Sequence, residues 1–182
     1  MTRSQRTLTF RVTVASTAAP EALYDVISDL RTHLVWGGEQ APSKGFRLLS
    51  MDAPAGPAHV GDRFSSTGAN GRMTFHDRST VVEAERPGRF GFDTESRLER
   101  GHVRAFESSV STRYEIEPSA GGSTITHTSE VRPGNYVPYW LRPGMRRMAR
   151  AMVQPKMRRH VRNLAAMAET TGPRERETTT AT

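Results

Sequence analysis

Residues 138–168 read PYWLRPGMRRMARAMVQPKMRRHVRNLAAMA. This stretch holds seven Arg, one Lys and no acidic residue, a charge of +8. Residues 1–137 carry sixteen basic and sixteen acidic side chains, and residues 169–182 carry two Arg and three Glu. The net charge of +7 therefore resides in this one segment. Its apolar residues are periodic. Leu141, Met145, Met148 and Met152 step by four, three and four, and so do Met157, Val161, Leu164 and Ala168. Each set is one face of a helix, but at about 100° per residue the two faces point roughly 150° apart. Pro155 lies between them, lacks the donor a helix interior uses and crowds the preceding turn. The spacing predicts two amphipathic helical pieces with a kink or break between Gln154 and Pro155. One reading is a C-terminal helix that packs on a sheet and shows water a charged back. The other is a basic, Met-rich piece over 141–153 that touches a membrane surface or gates a cavity.

Working outward, 182 residues fit one domain with a core large enough to need no staples. There is no Cys, so disulfides, thiolate metal sites and Cys nucleophiles are excluded. The first ten residues, MTRSQRTLTF, contain no apolar run suited to a signal peptide. No stretch approaches the ~18 apolar residues of a spanning helix. These features predict a cytoplasmic protein. An isoelectric point near 10.7 invites a nucleic-acid reading. The charge argues against it, because it sits on one helix with no interleaved aromatic platform.

Residues 7–14 alternate Leu8, Phe10, Val12 and Val14 with polar partners, which is a half-buried strand. Pro20 and Glu21 open a short helix over 20–30, with Leu23, Val26, Ile27 and Leu30 at helical spacing. Residues 32–36 extend it by a turn, and 37–43 form a loop. From 44 to 132 the pattern changes to six strands: 45–52, 62–67, 72–83, 89–96, 103–117 and 123–132. The separators are rich in Gly, Pro and Asn. Antiparallel strands with helices at either end indicate an α+β fold. Residues 170–182 are polar and predict a disordered tail.

Five pieces of this order carry a resemblance. They are FRVTVASTAAPEALYDVISDLRTHLVW at 10–36, VGDRF at 60–64, TVVEAERPGRF at 80–90, YEIEP at 114–118 with GSTIT at 122–126, and VRNLAAMAE at 161–169. Together they resemble the START-like helix-grip (SRPBCC) superfamily, in its polyketide cyclase/dehydrase and lipid-transport branch, over residues 7–169. The resemblance implies a curved seven-stranded antiparallel sheet around a long C-terminal helix, with short helices after the first strand and an apolar cavity between sheet and helix. It also places Trp36 near the cavity mouth. Such a fold hosts several chemistries, so function rests on the site.

Strand alternation identifies the inward face. With a loop at 118–123, Ile116 faces Ile125, Tyr114 faces His127, Thr112 faces Ser129 and Val110 faces Val131. Only this parity sends Arg113, Glu115, Glu117 and Glu130 outward. Phe90 and Phe92 share a face, with Val82 and Ala84 as companions. Met73 and Phe75 have the other parity, which predicts a bulge near Asp77. The expected ligand-binding lining is Trp36, Phe90, Phe92, Val110, Thr112, Ile116, Ile125 and Ser129, with Met148 and Met152 from the helix. Tyr114 and His127 are the candidate catalytic pair, since a His could move a proton at a ketone or enol. The same pair could equally be a buried hydrogen bond that satisfies two polar groups.

His76 and Asp77 are adjacent on a strand, point opposite ways and form no dyad. The six His residues show no metal-ligand spacing. No Walker loop and no Gly-x-Ser-x-Gly elbow is present. No metal or cofactor is therefore expected. Three functions remain open: a carrier or sensor for a small hydrophobic molecule such as a lipid or polyketide, a cofactor-independent polyketide-type cyclase or dehydratase using Tyr114 and His127, and a contact between the basic helix and an anionic membrane surface or nucleic acid.

Overall fold

Seven antiparallel strands form one sheet in the order β1-β7-β6-β5-β4-β3-β2, with a long helix packed against it. The computed structural model describes residues 7–39, 46–70, 73–100, 103–134 and 146–171. Strand β1 (Leu8–Ser16) buries Leu8, Phe10 and Val12, as its alternation requires. Helix α1 (Pro20–Ser28) starts on Pro20 and buries Leu23, Tyr24, Val26 and Ile27. A 3₁₀ turn (Leu30–Thr32) and a wider π-type turn (Val35–Glu39) follow. The remaining strands are β2 (Phe46–Asp52), β3 (Arg63–Asn70), β4 (Met73–Glu85), β5 (Arg89–Arg100), β6 (Val103–Ser119) and β7 (Gly122–Pro133). Helix α2 (Arg146–Thr171) closes the fold.

The β6–β7 hairpin has the register that parity dictates: Val110 opposite Val131, Thr112 opposite Ser129, Tyr114 opposite His127, Ile116 opposite Ile125. Its turn depends on Gly122, whose φ is +138° and where a Cβ would stand 2.3 Å from the Ser16 carbonyl oxygen.

The bulge in β4 lies elsewhere than expected. The β4–β5 register shifts between Val81 and Glu83, not near Asp77. Val81 and Ala84 therefore oppose Phe92 and Phe90, and Val82 turns outward, 39% exposed. One extra residue flips the parity of everything upstream. Phe75, Asp77 and Ser79 thus face inward without any irregularity at Asp77.

Helix α2 is also unlike the expectation. It runs without interruption through Pro155. Met148 and Met152 are 46% and 61% exposed, while Ala149 is buried. Leu141 and Met145 lie outside the described residues. The inward stripe is Ala149, Val153, Met157, Val161, Leu164 and Ala168, at steps of four, four, four, three and four. A small residue, Ala149, takes the core position that the periodic spacing assigns to the larger Met148. With one continuous stripe, no break is needed for the helix to keep one face inward. The helix reaches Thr171, so Thr170 and Thr171 belong to it; the rest of the expected tail lies outside the described residues.

The C-terminal half of α2 is the anchored half. Val161, Leu164 and Ala168 are buried with Leu23, Ile27, Leu30, Phe90, Ile116 and Ile125. Each large apolar side chain in this cluster contributes about 1.5–3 kcal/mol by leaving water. Glu169 adds a polar tie, accepting from the Ser16 hydroxyl at 2.7 Å and the Thr17 N–H at 2.9 Å. The N-terminal half rests on a smaller cluster of Leu8, Phe10 and Ala149. Gln154 and Arg158 reach the carbonyls of Arg11 and Thr13 on β1.

Candidate functional site

Between the sheet and the N-terminal half of α2 lies a cavity of about 420 Å³. Its floor is the inward face of β3 to β7, and Val153, Lys156, Met157 and His160 of α2 border it. Trp36 and His33, from the turns after α1, close one side. Apolar walls come from Met51, Phe64, Phe75 and Phe92. Phe64 and Phe92 meet edge to face, with centroids 5.2 Å apart. The far edge of the Phe75 ring lies over Gly68 across the β3–β4 pair, where a Cβ would overlap it. A wider depression of about 1010 Å³ opens to solvent on the other side of the sheet. Asp52, Arg63, Arg78, Asp93 and Glu95 line it, and such a charged rim suits water rather than an apolar guest.

The expected residues divide into three groups. Trp36, Phe92, Val110, Thr112, Tyr114, His127 and Ser129 line the cavity. Phe90, Ile116 and Ile125 share their inward face but lie farther along it, packed solidly beneath α1 and the end of α2. Met148 and Met152 are on the solvent side of α2, outside the cavity.

Tyr114 and His127 are cross-strand partners. Their rings stack, with centroids 4.6 Å apart and planes 18° off parallel. Neither His127 ring nitrogen has a hydrogen-bond partner among the described residues, and both are shut off from the surface. Burial pushes the His127 pKa down to about 3, with the neighbouring His160 and His33 adding to the effect. Burial raises the Tyr114 phenol above its ordinary value. Both are neutral near pH 7, and a histidine this weakly basic is a poor proton acceptor.

Sequence reasoning passed over His33 and Asp77. The His33 Nε2 lies 2.8 Å from the Ile27 carbonyl oxygen, which only accepts, so Nε2 carries the hydrogen. Burial lowers its pKa to about 4. The ring packs against Trp36 with centroids 4.5 Å apart. Trp36 in turn donates from Nε1 to the Thr32 hydroxyl at 3.1 Å, which fixes its ring at the cavity side. Asp77 is hydrogen-bonded to Ser96, and burial raises its pKa. Its Oδ1 has no partner among the described residues. The signal for Asp77 was its parity with Phe75; the misplaced bulge concealed it. His33 had no comparable local signal, because only the path of the turns after α1 brings it inward.

No group of three or more His, Cys, Asp or Glu side chains that could hold a metal occurs among the described residues. No helix among them is long and apolar enough to cross a membrane.

The family model described as polyketide cyclase / dehydrase and lipid transport matches residues 7–169. No curated protein matches the sequence. Solved structures share the fold at low identity. A putative uncharacterized protein from Rhizobium leguminosarum is 14% identical, with 90% of this chain and 95% of that chain covered at a TM-score of 0.64. The Mll3558 protein from Rhizobium loti is 16% identical, covering 88% and 96% at 0.61. Ara h 8.0201 is 15% identical, covering 90% and 98% at 0.57. The arrangement is the START-like helix-grip fold.

Proposed function

The chain belongs to the polyketide cyclase / dehydrase and lipid transport family, and from that premise we propose that it binds a small hydrophobic molecule, lipid-like or polyketide-like, inside the cavity as a carrier or sensor. The observation that carries this reading is the cavity of about 420 Å³, open on one side and walled by aromatic and Met side chains. Ligand pockets commonly have ~300–1,000 Å³, mostly apolar walls and few polar groups. A guest that buries about 300 Å² of apolar surface there gains roughly 7 kcal/mol before the costs of immobilisation.

Binding is favoured over cyclisation by the state of Tyr114 and His127. They are stacked, neutral and weak in acid–base terms, which suits a wall better than a proton relay. Native mass spectrometry of freshly purified protein tests the binding reading, with retention of an apolar compound expected. An interior that holds no compound and takes up no apolar dye overturns it. Cyclase activity would show as turnover of a poly-β-ketone that falls in His127→Ala and Tyr114→Phe.

One observation favours a second reading, contact with an anionic membrane. Met148 and Met152 are exposed on α2 beside the exposed Arg147, Arg150 and Arg159. Apolar side chains among cations suit an interface between headgroups and acyl chains. Binding to anionic vesicles at low salt that fades as salt rises is the expected result; no binding at low salt removes the reading.

A further inference from the structure

The cavity floor is not uniformly apolar. On β4 and β5, Asp77 pairs with Ser96, and Asp77 pairs on its other side with Ser66 of β3. One step along, Ser79 and Thr94 are cross-strand partners whose hydroxyls lie 2.8 Å apart. Next come Thr112 and Ser129, paired across β6 and β7, and then His127. All of these line the same cavity. They form an oblique polar track from β3 to β7. Phe64 and Phe92 flank it on one side, Phe75 and Leu98 on the other. Toward its two ends the track holds buried atoms with no partner among the described residues: Asp77 Oδ1, and both ring nitrogens of His127.

Unpaired buried polar atoms are costly, about 1–3 kcal/mol each, and a ligand that pairs them recovers that cost. Asp77 and His127 lie three strands and six residues of offset apart, which is roughly 25 Å along the sheet surface and less across its concave face. A ligand that reaches both is elongated. A hydroxyl suits each end. It can donate to Asp77 Oδ1, and it can donate to or accept from a neutral imidazole. A ligand carboxylate would face the Asp77 carboxyl, and the described floor residues of the cavity supply no cation to offset it; Lys156 borders the cavity from α2 on the opposite wall. Resting on the binding reading above, we propose that the ligand is amphipathic along its length: an elongated apolar molecule with hydroxyl groups near both ends, one meeting Asp77 and the other His127.

The test uses displacement of the dye 1-anilinonaphthalene-8-sulfonate from the full chain. The competitors are 1,14-tetradecanediol, a flexible chain long enough to bring a hydroxyl to each end of the track, and its dimethyl ether, which has the same skeleton without donors. The diol is expected to displace the dye at a concentration at least tenfold below that of the ether. Asp77→Ala and His127→Phe are each expected to reduce that advantage at least threefold while the ether's own displacement changes little. Equal potency of the two competitors overturns the hydroxylated-ligand proposal and leaves the apolar cavity standing. Dye binding that neither competitor displaces overturns it as well. Absence of dye binding altogether overturns the binding reading and this proposal with it. Circular dichroism of both variants checks that they fold; Ser129→Ala, at another point of the track, supplies a milder variant expected to weaken the diol alone.

Discussion

Replacing His127 with Phe should make the empty protein more stable. The His127 ring sits against Tyr114 with two nitrogens that find no partner among the described residues. Leaving a buried polar atom unpaired costs about 1–3 kcal/mol. Phe keeps a flat ring against Tyr114, removes both polar atoms, and has the adjoining cavity for its slightly larger volume. The expected gain at pH 7 is about 1–3 kcal/mol, or a Tm rise of about 2–4 °C for each kcal/mol. A pH dependence follows. The folded-state pKa is about 3 against an ordinary 6.5, so between these values the unfolded chain binds the proton that the folded chain refuses. Wild-type stability is therefore unaffected by this group above pH 6.5 and falls below it, approaching about 1.4 kcal/mol per pH unit. At pH 5 the accumulated loss is about 2 kcal/mol. The variant lacks this loss, so its advantage should widen from pH 7 to pH 5 by about that amount. Urea denaturation at the two pH values measures both effects. A variant less stable than wild type at pH 7, or an advantage that does not grow at pH 5, refutes the picture of His127 as a neutral, unpartnered wall residue.

Gly68→Ala should force the Phe75 ring off its seat and into the cavity, because the new Cβ would overlap it; a stability loss of about 1–3 kcal/mol and weaker dye uptake are expected, checked by denaturation and fluorescence titration. Leu164→Ala should cost about 2–5 kcal/mol, whereas Met152→Glu, on the exposed side of α2, should change stability by less than about 0.5 kcal/mol; thermal denaturation of the two compares the buried and exposed faces directly. Glu169→Gln should cost no more than about 1 kcal/mol at neutral pH: the Ser16 and Thr17 donors hold this carboxyl below its ordinary pKa of 4.5, but at the surface solvent screens much of that preference. A depressed carboxylate stabilises above its unfolded pKa and loses that contribution as pH falls through its folded one, so the gap between Gln variant and wild type should narrow in acid.

The bare chain was enough to read the element order, the α+β class and the pairing of the last hairpin. These rest on local chemistry: alternation in Leu8–Ser16 and in the β6–β7 pair, Pro20 at a helix start, Gly122 in a turn. It also separated inward from outward residues on β5, β6 and β7. It did not separate cavity from solid core along that inward face, because parity carries direction and no depth. Phe90 and Phe92 have the same parity, yet Phe90 is sealed in the core and Phe92 lines the cavity. That difference is made by where the anchored half of α2 lies on the sheet. Tertiary packing also chose Ala149 over Met148 as the inward residue of α2, since a close helix–sheet approach admits a small side chain and leaves the long ones to water. The bulge at Val82 was decided in the same way, by the pairing of two strands rather than by either alone, and it turned Asp77 inward with the polar track around it.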